Sequence, residues 1–106
     1  MANGRDVKEI KRIRNELLVA LKVVYPAALQ ADQLLRSLLV LFPTLEFEQI
    51  KRDLHYLGAK GYIERAAADS EADASLTPWR GRWFRLTTSG MELADRCIHD
   101  PALEET

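Results

Sequence analysis

A mainly α-helical chain with a small β-hairpin, an α+β class, is what this sequence predicts. Three observations carry that reading. Phe47, Ile50, Leu54 and Leu57 recur at the three-then-four spacing that lays one apolar stripe along an α-helix. Gly61 follows the last of them, where a helix commonly ends in a left-handed residue that only glycine adopts cheaply. Tyr62 and Ile63 then change to strand-forming types, and a second such run, Trp83 to Thr87, lies about twenty residues downstream. Two helical patterns precede this segment and one follows it. The predicted order is therefore three helices, a strand, a long loop, a strand and a last helix.

Residues 7–24 form the first helical pattern. Val7, Ile10, Leu17, Leu21 and Val24 keep a seven-residue rhythm in which Arg14 takes the position that would complete it, and Ile13, Leu18 and Val19 broaden the apolar face. So wide a face is covered on more than one side, either by the core alone or partly by a second copy of the chain. Tyr25-Pro26 ends the helix, because the residue before a proline is pushed out of helical geometry. A second helix over 31–41 turns Leu34, Leu35, Leu38 and Leu41 inward, and Phe42-Pro43 breaks it. Thr44 is the expected N-cap of the third helix, 45–60, with Glu46 and Glu48 suiting its positive end.

Rotation at about 100° per residue turns Glu48, Gln49, Arg52, His55, Tyr56 and Ala59 of that third helix outward. Gln49 and Arg52 are of the types that make bidentate contacts with base edges. Lys51 flanks them, and His55 and Tyr56 are suited to stacking or to a phosphate. The competing reading is a solvated face of mixed charge, which Glu46 and Glu48 favour, because carboxylates there would meet phosphates.

After a first strand over 62–65, residues 66–75 are small, polar and acidic, the composition of a mobile loop. In the second strand, alternation sends Phe84 and Leu86 to the core and Trp83 and Arg85 to the opposite face. Trp79 and Trp83 with Arg80, Arg82 and Arg85 make an aromatic and basic cluster. Such a cluster suits a nucleic-acid backbone, a protein partner at which Trp and Arg are favoured, or a Trp folded over the sheet edge with Arg upon it. A last helix over 88–98, capped by Thr87 or Thr88, buries Met91, Leu93, Ala94, Cys97 and Ile98. The domain spans 1–100, and 101–106 is an acidic tail.

With 106 residues the chain holds one core, and 47% apolar with 29% charged residues is an ordinary globular balance. The net charge of −1 announces no polyanion partner, so a binding face has to come from local distribution. Residues 79–87 hold three arginines and no acid, whereas 66–78 and the segment after 88 are acidic. No apolar run approaches the ~20 residues of a membrane span, and the N-terminus has no apolar signal core. The single Cys97 forms no internal disulfide, so a cytoplasmic location is expected, with no membrane partner. Catalysis is not expected. The chain has no glycine-rich phosphate loop, no paired-Cys metal spacing and no nucleophile with an evident base. Asp95 and His99 lie one helical turn apart, but only His55 remains as another imidazole, so neither metal nor cofactor is expected.

The run Ile50-x-x-x-Leu54-x-x-Leu57-x-x-x-Gly61-Tyr62-Ile63, followed by Phe84-Arg85-Leu86-Thr87-x-x-Gly90, resembles the winged helix-turn-helix superfamily, in particular bacterial regulators of the MarR, PadR and ArsR types. The resemblance spans roughly residues 10–98. It implies the order α1-α2-α3-β-wing-β-α4, and a bacterial or phage transcription regulator that binds double-stranded DNA. Helix 45–60 would enter the major groove and wing 62–87 would lie on the backbone. Gln49, Lys51, Arg52, His55, Tyr56, Arg80, Arg82 and Arg85 are the matching candidate DNA contacts. Two features depart from the family: an acidic wing loop without a basic tip, and a third helix that begins with two glutamates. Long dimerisation helices are also missing beyond residue 100, which leaves helices 7–24 and 88–98 for a homodimer. The alternative is a winged-helix adaptor that binds another protein through the Trp79 and Trp83 face.

Overall fold

The computed structural model describes residues 6–66 and 78–95. The elements are α1 (Val7–Val24), β1 (Leu29–Gln30), α2 (Ala31–Leu39), α3 (Phe47–Ala59), β2 (Ile63–Arg65), a 3₁₀ turn (Trp79–Gly81), β3 (Trp83–Leu86) and α4 (Thr88–Ala94). The class is α+β, mostly helical with a small antiparallel sheet. The expected hairpin is in fact three-stranded, with β3 between β1 and β2. Strand β1 falls between α1 and α2, where the sequence predicts nothing, because two residues are too few to show alternation. It is recruited by pairing: Leu29 opposes Phe84 and Gln30 opposes Trp83.

Helix ends are set by side chains near the expected places. Asp6 caps α1 by accepting from the Lys8 N–H. Helix α2 stops at Leu39 rather than at 41, and starts with a capping box in which the Gln30 N–H donates to Gln33 Oε1. Helix α3 covers Phe47–Ala59 rather than 45–60, and Glu46, not Thr44, caps it. Gln49 explains that shift. Its Oε1 accepts from the Glu46 N–H at 2.9 Å while the Glu46 side chain accepts from the Gln49 N–H, a reciprocal pair that Thr44 lies too early to make.

The apolar stripes meet in one core. Leu17, Leu21, Leu34, Leu38, Ile50, Leu54, Leu57, Ile63, Phe84 and Leu86 are buried together, with Phe47 half-buried against them. On α1 the buried line runs through Ile13, Leu17, Leu18 and Leu21, while Val7, at the head of the seven-residue rhythm, is exposed.

Two short motifs far apart in sequence join at the start of α4. Gly61 adopts φ 80°, the left-handed turn its position required. The first strand then begins at Ile63 rather than 62, because the Tyr62 carbonyl turns to accept from the Thr87 N–H. Thr87 lies beyond the end of β3 and works as the α4 cap: its Oγ1 donates to the Gly61 carbonyl at 2.6 Å and accepts from the Gly90 N–H at 3.0 Å. Gly90 packs directly on the Tyr62 carbonyl, so any Cβ there would overlap backbone. The expected loop 66–75, apart from Ala66, and the expected continuation of the last helix to 98 lie outside the described residues, as do Cys97, His99 and the tail 101–106.

Candidate functional site

Helix α3 meets α1, α2 and strand β2, and its two flanks define two environments. On the α1 side, Asp53 is fully buried and accepts from Arg14 Nε at 3.1 Å. The guanidinium of Arg14 also lies 3.8 Å from the centroid of the Tyr56 ring. Tyr56 is therefore half-buried against α1 rather than turned outward. The cause is packing: α1 crosses this flank of α3 and covers it. The sequence carries a signal for this contact. Arg14 is the break in the apolar rhythm of α1, and Asp53 is an acid inside the stripe of α3; each is costly to bury without the other.

On the opposite flank the sequence-predicted residues converge around Trp79. That residue lies in the 3₁₀ turn before β3, and its ring is half-buried, stacked on Phe84 at 5.6 Å with planes 22° apart. From α3, Lys51 Nζ lies 5.5 Å from the Trp79 centroid and the His55 ring 5.9 Å. From the approach to β3, the Arg82 guanidinium lies 4.7 Å from the same centroid. Arg65, which the sequence alone does not single out, stands directly opposite Phe84 and so on the same side of the sheet. Partial burial, and then the like charge of Arg65, hold the Arg82 guanidinium below its ordinary range. The signal for Arg65 was present but weak: a basic residue at an inward-facing register position.

The other candidates separate. Arg52 is exposed on α3 and has no ion-pair partner among the described residues. Gln49 spends its Oε1 on the cap, which removes the acceptor that a bidentate contact with adenine needs. Arg80 pairs with Asp32 at 3.1 Å and lies over the Phe47 ring at 4.4 Å, which ties the 3₁₀ turn to α2 and α3. Arg85 pairs with Glu64, its cross-strand neighbour, at 2.8 Å on the outer sheet face. Trp83 shares that outer face and is 43% exposed, so the two tryptophans do not form one surface.

Among the described residues, no group of three or more His, Cys, Asp or Glu is placed to hold a metal ion, and no helix is long and apolar enough to cross a membrane. No protein-family model matches the chain, and no curated protein sequence matches it.

Proposed function

We propose that the protein is a winged helix-turn-helix transcription regulator that binds double-stranded DNA, with α3 in the major groove and the segment 62–87 as a wing on the backbone. One observation carries the reading. Lys51 of α3 and Arg82 of the strand approach lie against the same Trp79 ring, with the His55 ring beside it, so helix and wing segment bring cations to one place despite a net charge of −1. Arg52, exposed on the same helix, supplies direct readout, its guanidinium fork matching the O6 and N7 acceptors of guanine. Lys51 and Arg82 hold phosphates and set the register of the helix on the duplex. Arg80 supports the wing from behind by joining Asp32 and Phe47. The test is binding of random-sequence duplex at two salt concentrations. Binding that is firm at ~50 mM salt and falls steeply by ~200 mM is expected, and no binding at the lower salt overturns the reading.

A second reading has its own observation. Trp83 stands exposed on the outer sheet face, away from the cationic surface, as an adaptor that grips another protein would present it. A partner lost by Trp83→Ala with the fold intact, in a protein that binds no duplex, favours the adaptor. For a homodimer the support is Val19 and Val23 on α1, one helical turn apart and 48% and 79% exposed. Light scattering at micromolar concentration should give twice the chain mass, and a clean monomer mass sinks the dimer.

A further inference from the structure

How the backbone is held follows from the geometry around Trp79. Its indole is no free platform for a base, because Phe84 stacks on it and the His55 ring lies beside it. What it offers is a fixed support for charge. Lys51 and Arg82 come from different elements, yet both lie against the same ring, at 5.5 Å and 4.7 Å from its centroid. A cation held on an aromatic face loses less freedom when it takes up an anion.

We propose that Trp79 is a positioning residue that fixes Lys51 and Arg82 as a clamp on a single backbone phosphate of double-stranded DNA, joining helix and wing at that phosphate. Three further features support the clamp. Arg65 brings a like charge to the same side of the sheet, which adds to the attraction for an anion there. Arg80 and Arg85 each hold a carboxylate of the chain itself and lie away from the Trp79 clamp. Arg80 also pins the 3₁₀ turn that carries Trp79 to α2 and α3, so the support cannot swing away from the helix. The clamp rests on the DNA reading, and its failure is separable from the failure of that reading.

The experiment measures duplex affinity across a salt series for wild type, Lys51→Ala, Arg82→Ala and the double variant. The slope of log affinity against log salt counts neutralised phosphates, at about 0.9 for each. If one phosphate is shared, either remaining cation still neutralises it. Each single variant then binds more weakly at nearly unchanged slope, and the double variant loses about 0.9 once. If the cations hold separate phosphates, each single variant loses about 0.9 and the double about 1.8, and the clamp is overturned while DNA binding stands. Trp79→Phe, which keeps an aromatic face, should remain within about threefold of wild type. Trp79→Leu, with its helical spectrum unchanged, should weaken binding as the single variants do, again without change of slope. A Trp79→Leu protein that binds as wild type does also overturns the positioning role, and the slopes decide the matter if that variant fails to fold. Absence of any wild-type binding at ~50 mM salt overturns the DNA reading and the clamp together.

Discussion

On one flank of α3 a cation meets an aromatic ring and a buried acid; on the other, cations gather on an aromatic ring with no acid paired to Lys51 among the described residues. The first contact, Arg14 with Asp53 and Tyr56, matches its charge inside the protein. A fully buried carboxylate is tolerated because the guanidinium reaches it, and the pair locks α1 to α3. The second contact, Trp79 with Lys51 and Arg82 and the His55 ring beside it, gathers two cations near the surface and brings Arg65 close to Arg82. Matched charge builds architecture. Cations gathered near the surface attract an external anion, which is the physical ground on which we propose the binding role for this flank.

Substitutions at both flanks sharpen that contrast, from the largest expected effect to the smallest. Leu54 is 1% exposed on the inward side of α3, between the two flanks, so Leu54→Ala should disturb both at once. It should cost roughly 2–5 kcal/mol in denaturant unfolding, and a loss below about half a kcal/mol would mean that α3 is wrongly phased. Arg14→Met should cost about 3 kcal/mol by taking the guanidinium away from the buried Asp53 carboxylate, the low end of the range for broken buried pairs because Arg14 keeps 19% exposure. Pairing Arg14→Met with Asp53→Leu should restore much of that loss, since two apolar groups need no partner. Neither change should alter duplex affinity per folded molecule, and a parallel loss of binding would mean that the α1 flank is part of the interface.

Arg52→Ala acts on the other flank. It should leave stability within about half a kcal/mol, the usual range for an exposed position. At a preferred site it should cost about 1–3 kcal/mol of binding and relax sequence preference there, read by selection from a randomised duplex pool. The smallest effect belongs to Arg85→Ala. Its pair with Glu64 is 45% and 48% exposed and so contributes at most about 1 kcal/mol to stability. Its effect on duplex binding should be smaller than that of the Lys51→Ala and Arg82→Ala double variant. A larger effect would move the backbone contact to the outer sheet face and erase the distinction drawn between the flanks.

Much of the fold is determined by the sequence acting locally. The stripe 47/50/54/57, the left-handed glycine at 61, the alternation at 83–86 and the threonine cap at 87 each follow from a rule that operates within a few residues. Periodicity cannot report which residues from distant segments will touch, and that is where tertiary structure decided. Strand β1 exists because β3 offers it hydrogen bonds, not because two residues have a pattern. Tyr56 turned from an outward candidate to a half-buried one because Arg14, thirty-nine residues before Asp53, crosses that flank to reach the acid. Gln49 went to the cap because its own backbone neighbour was nearer than any ligand. The candidate site divides in the same way. Lys51, Arg52, His55, Arg82 and Trp79 were legible as residue types suited to a polyanion, whereas the gathering of Lys51, His55 and Arg82 on the Trp79 indole, and the separation of Trp83 from it, depended on a 3₁₀ turn held in place by the stacking of Trp79 on Phe84 and by Arg80 against Asp32 and Phe47.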